Sequence, residues 1–395
     1  MIRITRKSKC YGCEACSNAC PVGAIAMIAD EHGFRYPVVD QDKCVECHKC
    51  EKVCPSANWV RTNIGRRFST VRAINCYNSD ISVRRESSSG GVFSLLADKI
   101  LSGGGYVFGA EKYYISDIRH TCIDDYEDVD KLRFSKYFQS AIGNSYKECL
   151  KKLKTGKPVL FVGTPCQVAG LYSFLGKDFD NLYTCDLKCH GVPSTAAFDK
   201  FCSSIKETEG SEVVDYYRDK SHGWNPVVFT TVLSDGRKIS KEAYDDEFNL
   251  CFIKSYGLRP SCYNCQFAYL PRMGDMTLSD NFIEAHHAST EDQREGLSMI
   301  ALNSEKGCKL FDAIKEHLVF SEYQMKGRAV FGWLSGCKTF QANRDEFMSR
   351  YQKEDFCVLI HEITGRKESE ASKAKLFLKK LYSEWNKYKN RLKFN

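Results

Sequence analysis

The sequence lacks three features, and each absence excludes or disfavours a class of protein. No apolar run approaches the ~18 residues that a membrane-spanning helix needs, and the mean hydropathy is −0.40, which excludes a membrane-spanning protein. The first ten residues carry no apolar core of the secretory type. No G-x-G-x-x-G motif occurs, which disfavours a conventional Rossmann dinucleotide site.

The excess of positive charge is confined to the end of the chain. Of the net +7, residues 366–395 contribute all, with ten Lys or Arg against three Asp or Glu. The rest of the chain is neutral, so a nucleic-acid-binding body is not expected. The segment 346–395 is predicted to be a basic amphipathic helix that packs on the body or makes peripheral contact with a membrane surface.

Cysteine is abundant, with 21 among 395 residues. That share, about 5%, is below the 8–10% typical of disulfide-rich secreted miniatures, and the number is odd. We therefore expect reduced, metal-binding thiolates in a cytoplasmic protein.

The chain divides by cysteine density and by apolar pattern. The first 60 residues hold eight of the cysteines, and the predicted segments are 1–57, 70–150, 151–345 and 346–395. Between about 70 and 345, short apolar runs such as Val159–Gly163 and Leu182–Leu187 alternate with helical patterns. Two runs around Asp235-Gly236 predict a hairpin. The expected fold class is α+β or mixed α/β, with a small N-terminal module, a mixed-sheet body and a C-terminal helix.

Two C-x2-C-x2-C-x3-C-P runs lie in the first segment, ending at Pro21 and Pro55. In such pairs three cysteines of one run bind one 4Fe–4S cluster, and the fourth reaches the other cluster. We name the resulting predicted groups the first set and the second set. The first set is Cys10, Cys13, Cys16 and Cys54. The second set is Cys44, Cys47, Cys50 and Cys20. Zinc is the alternative, but it explains neither the third cysteine of each run nor the Cys-Pro endings.

A run of small residues precedes a helical pattern that begins at Val92. We call Ser88, Ser89, Gly90 and Gly91 the serine loop. Backbone N–H groups at such a helix start can hold a phosphate. An ordinary serine-capped helix is the alternative, and the residues alone leave both open.

Four further cysteines follow predicted strands or form a C-x2-C pair. We call Cys166, Cys189, Cys262 and Cys265 the third set. Their number suits a third 4Fe–4S cluster, a zinc site, or a nucleophilic Cys166 paired with His190. Spacing does not decide among the three.

Six motifs in order resemble the coenzyme F-420 hydrogenase/dehydrogenase beta-subunit family over about residues 70–345. They are Ser88-Ser89-Gly90-Gly91, Phe134-Ser135-Lys136-Tyr137-Phe138-Gln139-Ser140, Gly163-Thr164-Pro165-Cys166-Gln167, Cys189-His190-Gly191-Val192-Pro193, the Arg-Pro-Ser-Cys-x2-Cys stretch from Arg259, and Gly274-Asp275-Met276-Thr277-Leu278-Ser279-Asp280. The resemblance implies FAD and a third 4Fe–4S cluster bound by the third set. Cys185 is a rival of Cys189 for one ligand position.

The same resemblance implies the flavin contacts. The serine loop would face the FAD phosphates, while Lys136, Gln139 and Ser140 would line the flavin. Lys136 is the catalytic candidate, because an ammonium beside the ring stabilises negative charge on the reduced flavin. The family often reads Gly-Asp-x-Trp where this chain has Ser279-Asp280-Asn281-Phe282, which leaves the acceptor open.

The function expected is that of an iron–sulfur flavoprotein oxidoreductase of an oxygen-poor cytoplasm. It would exchange electrons with a ferredoxin or with a hydrogenase or dehydrogenase subunit, and reduce or oxidise a small organic substrate. Candidate acceptors are a deazaflavin coenzyme and an intermediate of surface-polysaccharide biosynthesis. The alternatives are an electron-relay subunit of a hydrogenase or formate dehydrogenase and an iron–sulfur nucleic-acid enzyme.

Overall fold

The computed structural model describes residues 1–58, 67–282, 290–324 and 341–366. None of the helices in these ranges is both long enough and apolar enough to cross a membrane. The basic residues after 366 lie outside the described residues.

Strands form three sheets. The strands are β1 (Ile25–Ala29), β2 (Arg35–Val39), β3 (Arg67–Asn78), β4 (Tyr106–Lys112), β5 (Ile118–Ile123), β6 (Val159–Gly163), β7 (Leu182–Leu187), β8 (Val213–Asp219), β9 (Val228–Leu233), β10 (Lys238–Glu242), β11 (Met276–Asp280), β12 (Ser298–Ser304) and β13 (Leu318–Tyr323). β1 pairs with β2, and β8, β9 and β10 form a small antiparallel sheet. The remaining eight strands make the main sheet in the order β13-β3-β12-β11-β7-β6-β4-β5.

Helices connect and cover these strands. They are α1 (Ala15–Ala19), α2 (Lys49–Lys52), α3 (Pro55–Asn58), α4 (Ile81–Arg85), α5 (Val92–Ser102), α6 (Val129–Leu132), α7 (Ser145–Leu153), α8 (Pro165–Leu175), α9 (Thr195–Glu209), α10 (Glu247–Ile253), α11 (Thr290–Glu295), α12 (Glu305–Asp312), α13 (Gln341–Arg350) and α14 (Phe356–Thr364). Short 3-10 helices lie at Lys7–Lys9, Tyr126–Asp128, Pro260–Asn264 and Lys315–His317.

The predicted mixed α/β class is confirmed by this arrangement. β6 and β7 begin and end at the residues that the apolar runs predict, and β9 and β10 form the predicted hairpin. β6 is buried along its whole length, which is why its sequence is continuously apolar rather than alternating.

The main sheet is covered on both faces, and neighbouring residues of a strand therefore enter different cores. Leu160 packs with Leu96 of α5 and with Cys185 on one face. Phe161 packs with Val168 of α8 on the other face. This alternation follows from the two-residue period of a strand.

The carboxyl ends of several strands meet at one edge of the main sheet. β4, β6, β7 and β11 run parallel to one another. β12 is antiparallel to both β11 and β3, so β3 runs in the same direction as the parallel group. We call this edge the carboxyl edge, where open α/β sheets place their ligand sites.

Residues 1–58 pack directly on the body. Asn18 Nδ2 donates to Gly143 O at 2.9 Å, and Ser194 Oγ donates to His32 O at 2.6 Å. Tyr146 Oη lies 2.9 Å from Cys13 O. The N-terminal module is therefore anchored to the body along several contacts rather than by one.

The described part of the predicted C-terminal segment 346–395 belongs to a core. Phe347, Tyr351 and Leu359 from α13 and α14 are fully buried, in one cluster with Phe198 of α9. Residues 346–366 of this segment therefore form the end of α13 and the whole of α14 rather than one continuous amphipathic helix, and residues 367–395 lie outside the described residues.

Candidate functional site

The structure brings the first and second sets together as two separate groups. One small cavity has Cys10, Cys13, Cys16 and Cys54 in its wall. A second small cavity has Cys20, Cys44, Cys47 and Cys50 in its wall. The division crosses between the two runs, as the spacing predicts.

Local backbone turns aim these side chains inward. The residue before Cys13 and the residue after it, Gly12 and Glu14, have φ of 64° and 61°. In the second run Glu46 and His48 flank Cys47 with φ of 47° and 58°. Left-handed residues on both sides of a cysteine reverse the chain tightly, which lets neighbouring thiols face one cavity.

Backbone N–H groups donate hydrogen bonds to thiols of these sets, and burial disfavours the charged thiolate form. Ile2 N donates to Cys50 Sγ at 3.3 Å, and Ala24 N donates to Cys20 Sγ at 3.2 Å. Burial raises the pKa of Cys16, and the neighbouring Cys10 and Cys54 raise it further. Such thiols become thiolates when a bound cation supplies the compensating charge.

The third set also converges. Cys166 lies at the start of α8, Cys189 follows β7, and Cys262 and Cys265 lie in and after the 3-10 helix Pro260–Asn264. Burial raises the pKa of Cys262, and the neighbouring Cys189, Cys265 and Cys166 raise it further. Burial likewise raises the pKa of Cys189 and of Cys265 to about 12. The four thiols thus share one electrostatic environment.

Cys185 lies elsewhere. Cys185 Sγ donates to Asp186 O at 3.8 Å, and the side chain is fully buried in the core on the α5 face. Cys166 and Cys265 pack on the core of the opposite, α8 face. Burial raises the pKa of Cys185, with Asp186 and Asp275 as the contributing charges and no cysteine among them. The geometry therefore favours Cys189 as the fourth member of the third set.

The nucleophile alternative is not supported by the contacts of its two residues. His190 Nε2 lies 3.0 Å from Phe252 O and 2.8 Å from Ser255 Oγ. Cys166 Sγ instead lies 3.3 Å from Thr164 Oγ1. Without a base on the thiol, these residues lack the arrangement that activates a nucleophile.

The first and third sets are neighbours across the module boundary. Tyr146 Oη lies 2.9 Å from Cys13 O and 2.7 Å from Gln167 O, so its one hydroxyl proton is shared between the two carbonyl oxygens, and Gln167 follows Cys166. A Cβ on Gly170 of α8 would lie 3.2 Å from Cys13 Sγ. Cys13 also packs on the same core cluster as Cys166 and Cys265.

The serine loop lies at the carboxyl edge, between the end of β3 and the start of α5. Gly90 N donates to Ser298 Oγ at 2.9 Å, and Ser89 Oγ donates to Leu297 O at 2.9 Å. A Cβ on Gly90 would meet Cys76 O at 2.8 Å, so this position requires glycine. Gly91, the residue immediately before α5, has φ of 81°.

Lys220 is a further residue of the serine loop region, and sequence spacing does not reveal it. Lys220 Nζ donates to Ser87 O at 2.9 Å and to Ser89 O at 3.0 Å. Burial, together with the charges of Arg218 and Arg84, lowers the pKa of Lys220 to about 7. Only the fold brings this lysine to a loop more than 130 residues away.

Lys136 and its two predicted companions point to different partners. Lys136 Nζ donates to the backbone oxygens of Arg133 and Lys131, and burial lowers the pKa of Lys136 to about 7. Gln139 Nε2 donates to Tyr11 O of the N-terminal module at 2.8 Å. Buried Ser140 bonds His120 Nδ1 at 2.9 Å. The structure therefore does not bring these three side chains together, and their role at a flavin stays a prediction.

Charged side chains gather around Asp280 at the same edge. Arg218 Nη1 lies 2.8 Å from Asp280 Oδ2, and Trp224 Nε1 donates to Asp280 Oδ1 at 2.9 Å. The Trp224 ring stacks on Phe282 with centroids 5.0 Å apart. Burial lowers the pKa of Lys188, just beyond β7. Asp280 ends the motif from Gly274 to Asp280 on which the family resemblance rests, whereas no sequence pattern singles out Arg218.

Two family models match the chain. Residues 9–58 match the 4Fe-4S dicluster domain, and residues 156–326 match the C terminus of the beta subunit of coenzyme F420 hydrogenase/dehydrogenase. No curated protein matches it. Among solved structures, a chain of the xenon-derivatised F420-reducing [NiFe] hydrogenase complex from Methanosarcina barkeri is similar, with a TM-score of 0.46 and 16% identity over 73% of this chain and 91% of that chain.

The two family matches support the coarse assignment of the chain as an iron–sulfur protein of the electron-transfer type. The expected resemblance is confirmed. The chain joins a stretch that matches the 4Fe–4S dicluster domain, residues 9–58, to a region that is similar to the C terminus of the coenzyme F420 hydrogenase/dehydrogenase beta subunit, residues 156–326.

Proposed function

We propose that this chain is a cytoplasmic iron–sulfur flavoprotein that exchanges electrons with a one-electron carrier and reduces or oxidises a small organic substrate. One observation carries the proposal: the first and third sets lie against each other, and Tyr146 bonds the backbone of both. The exposed Cys47 of the second set gives this series of thiols an outer end.

The donor sets fit 4Fe–4S clusters better than zinc. Zinc draws four ligands to ~2.0–2.3 Å from one ion. Each of the first and second sets combines three cysteines of one run with the fourth cysteine of the other run around one cavity, which is the ligand division of paired 4Fe–4S clusters.

The carboxyl edge supports an anionic cofactor at the serine loop. The loop has Gly90 and Gly91 where a side chain would be crowded or strained, and the amino terminus of α5 follows it. The helix terminus supplies partial positive charge there, and Lys220 Nζ donates a hydrogen bond to Ser89 O of the loop. When bound, FAD would couple one-electron supply to two-electron chemistry.

Cofactor content after anaerobic purification tests the proposal. We expect about twelve irons and one FAD per chain, because three 4Fe–4S clusters need three sets of four thiolates. Zinc in place of iron, or a fully iron-loaded protein without flavin, would contradict it. An acceptor screen with a deazaflavin and with oxidised sugar derivatives would then identify the substrate class.

Two observations favour a second candidate, an electron-relay subunit of a hydrogenase or dehydrogenase without its own substrate. Gly90 N–H is already donated to Ser298 Oγ, and Gln139 turns toward the N-terminal module. The relay function predicts a flavin-free chain with no turnover of small acceptors until the partner subunit is added.

A further inference from the structure

Arg259 is a fully buried cation that has no carboxylate partner within ion-pair distance among the described residues. A buried charge is costly unless an opposite charge or several hydrogen bonds compensate it. The described buried arginines at the carboxyl edge do have such partners: Arg84 pairs with Asp292 at 2.6 Å, and Arg218 pairs with Asp280 at 2.8 Å.

The side chain of Arg259 reaches into the first set instead. Arg259 Nε donates to Cys10 O at 2.8 Å, and Arg259 Nη2 lies 3.5 Å from Cys10 Sγ. Nη2 also donates to Arg35 O at 2.9 Å, and the guanidinium carbon lies 4.3 Å from the centre of the Tyr36 ring. All these neighbours belong to the N-terminal module, 223 or more residues earlier in the chain.

The backbone of Arg259 belongs to the third set. Cys262 N donates to Arg259 O at 2.9 Å, and Arg259 N donates to Val192 O at 2.8 Å, three residues after Cys189. The Arg259 charge also acts on Cys166, where it opposes the effect of burial on the thiol. One cation thus lies between two sets of thiolate ligands.

We propose that Arg259 is the shared counter-charge of the first and third sets and raises the reduction potential of the iron–sulfur group at Cys10. The proposal rests on the proposed function, because it needs an iron–sulfur cluster bound by the first set. Reduction adds one electron and one negative charge there, with no bond formed or broken and the electron supplied by a one-electron carrier. A fixed guanidinium beside Cys10 Sγ stabilises the reduced form more than the oxidised form.

The test is an EPR-monitored redox titration of the purified holoprotein and its variants. In Arg259→Gln and Arg259→Met we expect one cluster midpoint to become more negative by at least ~59 mV, the one-electron equivalent of a tenfold change in the ratio of reduced to oxidised cluster. Arg259→Lys keeps the charge and should shift the midpoint less than either neutral variant. Arg84→Gln is the matched control, since it removes a buried arginine whose described contacts include no cysteine of the three sets.

The outcomes separate this proposal from the proposed function. A wild-type protein with fewer than about eight irons would contradict the proposed clusters themselves. Fully loaded neutral variants with unchanged midpoints would overturn the role of Arg259 and leave the clusters in place. A third outcome is that the neutral variants take up no iron under reconstitution conditions in which Arg259→Lys does. Arg259 would then be a structural residue, which also overturns its role in tuning the reduction potential.

Discussion

Replacing Cys189 by alanine should remove one cluster and leave two, whereas replacing Cys185 should remove none. The two cysteines are four residues apart, and both are candidates for one ligand position by sequence. Cys189 lies in the electrostatic neighbourhood of Cys166 and Cys262, while Cys185 faces the core on the α5 side of the main sheet. The pair therefore offers a matched comparison within one strand and the loop after it.

The expected magnitudes follow from these positions. Loss of one thiolate of four should cost Cys189→Ala about four of twelve irons, with the dicluster domain still loaded. Cys185→Ala should keep all the iron. It removes one buried sulfur from a packed core, which should lower the free energy of unfolding by about 1–2 kcal/mol.

Iron and acid-labile sulfide assays on anaerobically purified protein measure the first quantity, and EPR of the dithionite-reduced protein counts the remaining clusters. Equal iron in Cys189→Ala and wild type would remove Cys189 from the ligands. Loss of four irons in Cys185→Ala instead would mean that the third set is assembled from the other face of the sheet, which would refute the geometric reasoning.

Three further predictions concern residues at the module boundary and the carboxyl edge. Gly12→Ala should lower the denaturant midpoint of unfolding more than Gly23→Ala. Both glycines have φ of 64°, but only at Gly12 would a Cβ crowd Arg259, at 3.0 Å from Nη1. Equal midpoints would show that backbone strain, which costs about 1–2 kcal/mol of stability, is the only effect in both variants. Lys220→Met should weaken FAD retention about tenfold. Three backbone oxygens in and before the serine loop would lose the hydrogen-bond donor that they share. Unchanged flavin content in the dialysed protein would contradict this prediction. Because the pKa of Lys136 is about 7, its ammonium is present at pH 6 and mostly lost at pH 8. Flavin reduction should therefore be more favourable at pH 6 beyond the ordinary proton dependence of the flavin, and Lys136→Met should abolish that extra dependence in a spectral redox titration.

The spacing of residues within short segments was sufficient to predict the cysteine sets, two strands and a hairpin. The first and second sets follow from the three-residue spacing within each run, because a short loop can direct three thiols to one cavity. The bounds of β6 and β7 follow from apolar runs that end at glycine and before a polar segment. The hairpin of β9 and β10 follows from its Asp-Gly turn.

Contacts between distant segments could not be read from spacing. Arg259 meets Cys10 across 249 residues, and Lys220 meets Ser87 across 133. Gln139 belongs to a motif that implies a flavin contact, yet its amide bonds Tyr11 O of the N-terminal module. Which partner a polar side chain finds depends on how separate elements pack, and that information is spread over the whole sequence rather than held in the motif.

The packing of the N-terminal module has a consequence for electron transfer that a flexible attachment would not have. Tyr146 Oη fixes Cys13 to the residue after Cys166, and Arg259 ties Cys10 to the backbone of Cys262. Both bridges use buried groups whose loss would leave polar atoms unsatisfied, so separating the module from the body is costly. The distance between the first and third sets is therefore set by the body's own core, and electron exchange between them should not depend on the length of residues 59–66. Lengthening that segment by a few glycine and serine residues should leave the rate of internal electron transfer unchanged, whereas Tyr146→Phe, which removes the hydroxyl donor that both carbonyl oxygens share, should slow it.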